Sequence, residues 1–143
     1  MSGVVVRQFG SLQSELAAVE FGAHFSVRGQ VSSESVGVLM QAVLSDLTPM
    51  APKAVVCDYR GADMGATARS LVHAQRRSGQ SADWPTALII QPDQAELWRL
   101  YRDIQARHGH LKGVFTEPEE AYRWAADMAA LRAAQERFNR RRG

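Results

Sequence analysis

The stretch AVVCDYRGADMGATARS, residues 54–70, is the centre around which the other elements of the chain can be placed. Its first residues are mostly apolar, which predicts a buried strand over 54–59. Glycines punctuate the next segment, and a run without proline then predicts a helix over 67–78. In an open α/β sheet, ligands and partners gather at the carboxyl ends of such strands. We therefore expect a binding surface at Asp58, Arg60, Asp63 and Thr67.

Length and composition predict one globular domain. The chain has 143 residues, of which 45% are hydrophobic, enough for a substantial core. Its single cysteine, Cys57, lies in an apolar run, so neither a disulfide framework nor a cysteine-rich zinc site is expected. No apolar stretch is long enough to span a bilayer, and the first residues lack the apolar core of a signal peptide. These features predict a cytoplasmic protein.

The basic character of the chain comes from its last residues. The formal net charge is +2, and four arginines lie within residues 137–142. A basic tail can attract nucleic acid or anionic lipid, but a solvated, frayed terminus is the simpler interpretation. The body offers no basic face studded with aromatic residues, so we expect no nucleic-acid binding. We predict a domain over residues 1–131 and a basic helical extension over 132–143.

The first half of the chain predicts antiparallel strands followed by a helix. Valines at positions 4–6 indicate a strand, and segments 17–21 and 24–28 are expected to pair through a tight turn at Gly22 and Ala23. Ser32 or Ser33 then caps a helix, which ends in the proline-containing segment 48–52. Apolar residues at helical spacing should pack this helix on the sheet: Val36, Leu39, Met40, Val43, Leu44 and Leu47.

The second half alternates strands with helices. The helix after the central strand should turn Ala68, Leu71, Val72 and Gln75 towards the core, and a loop over 79–85 leads to a strand at 86–90. Asp93 is expected to cap a helix with the apolar face Leu97, Leu100, Tyr101 and Ile104. After a strand at 112–116, a capping box of Thr116 and Glu119 starts the last helix, with the stripe Ala121, Trp124, Ala125, Met128 and Leu131.

This alternation predicts parallel pairing with right-handed crossovers, and the first strands add an antiparallel portion. The expected fold class is therefore α/β, a mixed β-sheet with about four amphipathic helices. Three phrases resemble the STAS domains, the fold of bacterial anti-sigma-factor antagonists, and within them the SpoIIAA-like (STAS/SEC14-like) branch. They are FSVRGQVS at 25–32, AVVCDYRG at 54–61 and VFTEPEEAYRW at 114–124. The resemblance covers about residues 3–130 and implies a non-catalytic regulatory or protein-interaction module with a protein partner.

The resemblance also implies where regulation would act. In the antagonists of this family, a serine within an Asp-Ser-Ser/Thr-Gly phrase, at the start of the helix after the central strand, is phosphorylated by a partner kinase. This sequence has ADMGAT at residues 62–67 instead, without that serine. Thr67 and, less directly, Ser70 are the remaining phosphoacceptor candidates. A helix N-cap is the more economical role for Thr67, because capping needs only local geometry.

The SpoIIAA-like branch further implies a second class of function, the binding of a small apolar ligand or lipid with peripheral membrane association. Four aromatic residues could line a pocket between the sheet and the last two helices, although ordinary core packing is the simpler explanation for them: Trp84, Trp98, Tyr101 and Trp124. Exposed aromatic residues and the long last helix would also permit a homodimer.

The sequence contains no constellation typical of an enzyme. Cys57 has no adjacent basic residue in its strand, and His73, His108 and His110 lack the spacing of a metal-binding helix pair. Neither a P-loop nor a dinucleotide-binding glycine motif is present. Asp58, Arg60 and Asp63 could form a polar site, but a structural ion pair is the simpler alternative. We expect a protein that is not an enzyme, with no cofactor and no metal site.

Overall fold

The order of the strands across the sheet is the same as their order along the chain. A computed structural model describes residues 3–77 and 84–142, and these form a six-stranded sheet. The strands are β1 (Val4–Phe9), β2 (Leu12–Val19), β3 (Gly22–Val31), β4 (Ala54–Met64), β5 (Thr86–Ile89) and β6 (Lys112–Phe115). The helices are α1 (Ser35–Met50), α2 (Ala68–Arg77), α3 (Ala95–Arg107) and α4 (Pro118–Arg142), with a 3₁₀ turn at Pro92–Gln94.

The predicted mixed sheet is confirmed. Strands β1, β2 and β3 form an antiparallel meander, and β3 to β6 are parallel neighbours. Because successive parallel strands are added on the same side, right-handed crossovers place α1, α2 and α3 on one face. Helix α4 returns across the other face, where Ala121, Ala125 and Ala129 pack on alanine, valine and isoleucine side chains of β4 and β5.

The main core lies between the sheet and helices α1 to α3. All six residues of the predicted α1 stripe are buried, and so are the four predicted for α2. Each helix turns its apolar face towards the sheet because exposing that face to water would be unfavourable. The predicted loop over 79–85 falls largely on residues 78–83, which lie outside the described part of the chain.

The hairpin between β2 and β3 closes at different residues from those predicted. Val19 pairs with Gly22, so the turn lies at residues 20–21 rather than at Gly22 and Ala23. Gly22 belongs to β3 and has φ +149°. A Cβ atom there would come within 2.2 Å of the Ala54 carbonyl oxygen. This glycine is therefore required by the close approach of β3 and β4, although a glycine between two strand patterns is also typical of a turn.

Two predicted helix faces each include one leucine that is exposed in the structure. Leu100, expected in the core, is 52% exposed, whereas Trp98, Tyr101 and Gln105 form the buried side of α3. Because Gln105 is polar, a search for apolar residues at helical spacing does not include this buried position. In α4 the buried side consists of three alanines, and Leu131 is 62% exposed. Small side chains let α4 lie close to the sheet, whereas a stripe of larger apolar residues would keep the helix further away.

Candidate functional site

The carboxyl end of β4 is a strand where the sequence predicted a loop after Tyr59. Strand β4 continues to Met64 beside β3, which reaches Val31, while β5 ends opposite Asp58. The register between β3 and β4 shifts after Ser26, which places an additional residue in β4. Residues 28–31 and 60–64 therefore project beyond β5 as a two-stranded segment, called the ribbon below.

Two glutamines replace β5 along the open edge of the ribbon. The Gln94 amide donates to the carbonyl oxygens of Ala62 and Tyr59, at 2.9 and 3.3 Å. The Gln91 amide donates to the Arg60 carbonyl at 2.9 Å. Because unpaired strand carbonyls are costly to bury, these bonds hold the ribbon on the body. No local pattern indicates either role, since both glutamines lie more than thirty residues from these partners.

Asp58 and Arg60 form an ion pair at the base of the ribbon. The guanidinium contacts both carboxylate oxygens, at 2.7 and 3.0 Å, and the Arg60 backbone N–H donates to Asp58 Oδ1 at 3.0 Å. Burial alone would raise the pKa of Asp58, but the hydrogen bonds from Arg60 outweigh it and lower that pKa. The carboxylate of Asp58 and the guanidinium of Arg60 thus bond to each other, which agrees with the structural ion pair that the sequence analysis named as the simpler alternative.

The ion pair and Asp63 lie on the α4 side of the sheet. Tyr122 and Glu117, at the start of α4, are among the groups that raise the pKa of Arg60, after the dominant hydrogen bond to Asp58. Ala62 and Met64 pack into the core beneath α1 to α3, so Asp63 between them points the other way and is exposed. Nearby, burial lowers the pKa of the half-buried His24.

Thr67 is the N-cap of α2. Its hydroxyl accepts the backbone N–H of Ser70 at 3.1 Å, and Ser70 Oγ accepts the backbone N–H of Thr67 at 3.0 Å. This reciprocal arrangement satisfies two donors that a helix start would otherwise leave unpaired. Helix α2 packs on the face opposite α4. The four residues predicted for one surface therefore occupy two places, the α4 side of the ribbon and the start of α2.

The four aromatic residues do not surround one pocket. Trp84, Trp98 and Tyr101 belong to the core beneath α1 to α3, where the Trp98 and Tyr101 rings meet edge to face at 5.4 Å. Trp124 lies on the other face of the sheet, against Phe115. The core cavity that Trp84 and Tyr101 line has a volume of only about 50 Å³, which is room for one or two water molecules.

Comparison with known proteins adds the fold to this geometry. No protein-family model and no curated protein sequence matches the chain. An anti-sigma factor antagonist from Mycobacterium paratuberculosis is similar in structure, with a TM-score of 0.50 and 11% identity, over 87% of this chain and 94% of that chain. An uncharacterized protein with a SpoIIAA-like fold from Shewanella loihica PV-4 also has a TM-score of 0.50, with 14% identity, over 87% and 93%. The chain has the SpoIIAA-like fold.

The SpoIIAA-like fold confirms the resemblance that three sequence phrases carried, and at these identities the likeness concerns the fold. Within it, three polar side chains of the core, Gln75, Tyr101 and Gln105, are hydrogen-bonded to one another. Gln75 Oε1 accepts the Tyr101 hydroxyl at 2.9 Å, and Gln105 donates to that hydroxyl oxygen at 3.1 Å. Burial raises the pKa of Cys57 to about 12, so its thiol stays protonated and is a poor nucleophile.

Metal-binding clusters and membrane-spanning helices are both absent from the described part of the SpoIIAA-like chain. Across 3–77 and 84–142, no group of three histidine, cysteine, aspartate or glutamate side chains is arranged to hold a metal ion. No helix in those same ranges combines the length and the apolar character needed to cross a membrane.

Proposed function

We propose that the protein is a non-catalytic regulatory module of the cytoplasm that binds a protein partner through the ribbon and α2. The carrying observation is that Asp63 is exposed on a ribbon whose open edge is hydrogen-bonded to Gln91 and Gln94. An anti-sigma factor antagonist among the structural neighbours supports a regulatory role for this fold. Strand-end positions are where α/β sheets commonly place their binding residues.

Charge reversal in the ribbon tests this proposal. We expect Asp63→Lys to reduce capture of the partner from a native lysate, because the side chain is exposed and has no ion pair within the described residues. Asp127→Lys on the exposed side of α4 is the matched control. Arg60→Glu is the second variant, placed beside Asp58. Quantitative mass spectrometry of captured proteins, with circular dichroism as the folding check, gives the answer. Unchanged capture by both ribbon variants would contradict the proposal.

Phosphorylation of Thr67 or Ser70 is proposed as the regulatory event at this surface. Both hydroxyls are occupied in the capping arrangement of α2, so a phosphate would break it. The helix N-terminus would in turn favour the added negative charge. Intact-mass measurement of protein isolated from its native cells tests the idea. A mass without added phosphate under every growth condition would remove it.

Binding of a small apolar ligand or lipid, with peripheral membrane association, is the second candidate. The observation in its favour is the core cavity, where Nζ of the buried Lys112 donates to Thr86 Oγ1 at 3.1 Å. A lipid chain would need the helices above the cavity to move apart, because about 50 Å³ cannot hold it. Native mass spectrometry tests this candidate. The absence of a co-purified ligand, together with the absence of a lipid-dependent shift in melting temperature, would exclude it.

A homodimer is proposed through the edge strand β1, which has no neighbour on one side within the described sheet. Its three valines are exposed, and it contains neither proline nor lysine to discourage pairing. A two-residue turn makes Phe9 and Leu12 a hydrogen-bonded pair, so Val4, Val6 and Gln8 direct their backbone groups outwards. Two antiparallel copies centred on Val6 would satisfy these groups mutually. Sedimentation of Val6→Lys against wild type tests this, and a monomeric wild type would refute it.

A further inference from the structure

The groove between α2 and α3 is lined by positively charged and imidazole side chains. Its volume is about 470 Å³. Arg69, His73 and Arg76 come from α2, and His108 follows the end of α3. The Arg76 guanidinium contacts the His108 ring at 2.6 Å, which joins the two walls. Val72 and Ile104, which pack into the core beneath, contribute the apolar part of the lining.

The positive charge of this groove is not neutralised from within the described chain. Helix α2 has the sequence ARSLVHAQRR, without an acidic residue. Arg69, His73 and Arg76 are spaced four and three residues apart, so they form one stripe on its exposed side. Within residues 3–77 and 84–142, neither Arg69 nor Arg76 has a carboxylate oxygen inside 4.0 Å. Two guanidinium groups without a carboxylate partner among those residues, on one side of the groove, favour an external negative charge.

We propose that this groove binds an acidic peptide segment of the protein partner, with a large apolar side chain placed on Val72 and Ile104. The inference rests on the proposed function and specifies the chemistry of its partner. The carboxylates would lie over Arg69 and Arg76, where guanidinium groups can bind them in bidentate fashion. Helix α2 thereby supplies the charge of this contact, and Asp63 of the ribbon, on the α4 side of the sheet, belongs to a separate contact.

A peptide fits the groove better than other anions. Nucleic-acid single strands are usually held by aromatic side chains on which bases stack, and no Phe, Tyr or Trp among the described residues lines this groove. A membrane surface favours basic residues that stand out from the protein, whereas these flank a depression between two helices. An apolar centre with a charged rim is the usual composition of a peptide or protein interface.

Selection from a random peptide library on the full-length protein tests the inference without requiring the partner to be identified. We expect enriched peptides to carry clustered aspartate or glutamate beside a large apolar residue. Fluorescence anisotropy of a labelled, enriched peptide should show binding that salt weakens. Arg69→Glu and Arg76→Glu should each weaken it by about tenfold or more. Arg123→Glu, exposed on α4 with the same change of charge, should bind like wild type.

Several outcomes would overturn the inference. Enriched peptides without acidic residues would do so, as would equal binding by the Arg69→Glu and Arg123→Glu proteins. Binding of single-stranded DNA or phosphatidylserine vesicles that requires Arg69, with no acidic peptide enriched, would assign the groove to that anion instead. Partner capture that depends on Asp63 but not on Arg69 would contradict the proposed groove and leave the proposed ribbon interface standing. Partner capture that depends on Arg69 but not on Asp63 would contradict the ribbon interface and leave the groove standing.

Discussion

At the scale of single residues, burial determines the protonation of His24, on the α4 side of the sheet. His24 is half-buried, its Nε2 has no hydrogen-bond partner within the described residues, and burial lowers its pKa. Asp58 and Glu15 act to raise that pKa and Arg60 acts to lower it, all more weakly than burial. The neutral imidazole is therefore the form that the folded protein prefers.

This preference predicts an acid-sensitive stability. As pH falls through about 6.5, the unfolded chain takes up a proton at His24 before the folded protein does, so the free energy of unfolding should decrease. His24→Gln should reduce that decrease. Urea unfolding at several pH values between neutral and mildly acidic measures the slope. Equal slopes for wild type and His24→Gln would contradict the assignment.

The capping role of Thr67 gives a second prediction. Thr67→Ala should lower the free energy of unfolding by about 1 kcal/mol, because the Ser70 backbone N–H loses its acceptor. Thr67→Asp should retain most of the stability, since aspartate is an equally good cap with favourable charge at a helix start. Thermal and urea unfolding compare the three proteins. A loss in Thr67→Asp as large as in Thr67→Ala would argue against capping.

At the scale of elements, the ribbon depends on side chains of the 3₁₀ turn Pro92–Gln94. Gln94→Ala would leave the carbonyl oxygens of Tyr59 and Ala62 without this donor, and should lower the free energy of unfolding by about 1–2 kcal/mol. Gln41→Ala, at an exposed position of α1, is the control. Hydrogen exchange should also quicken in residues 60–64. Unaltered exchange there would mean that β3 and Gln91 hold the ribbon without Gln94.

The elements also show what could be predicted from sequence and what could not. The buried stripe of α1 was predicted in full because its apolar residues repeat at one spacing, although the helix continues through Pro49 to Met50. The buried side of α3 was predicted only in part: Tyr101 is buried as expected, whereas Gln105 was missed because it is polar and is satisfied by Tyr101 and Gln75. The ribbon was missed because its edge is completed by Gln94, more than thirty residues away. Local patterns cannot reveal such distant polar partners, and the candidate site depends on them.

At the scale of the whole molecule, α4 closes the second face of the sheet and then continues past it. Its buried alanines, at 121, 125 and 129, all precede Leu131. Beyond that residue the helix contacts the body through an ion pair between Glu136 and Lys53. Both side chains are more than two-fifths exposed, and exposed ion pairs contribute little to stability. The core is therefore complete before the arginine-rich end begins.

This division predicts that a protein truncated after Leu131 will still fold. The loss of residues 132–143 should lower the urea midpoint only slightly, because no fully buried side chain of the described residues is removed, and it should leave the circular dichroism of the sheet unchanged. Capture of the partner and binding of acidic peptides should also persist, since the ribbon and the α2–α3 groove lie elsewhere. Loss of cooperative unfolding would show that the extension belongs to the domain. Loss of binding with intact folding would move the interface to the arginine-rich end, where the charge that attracts the partner would then lie.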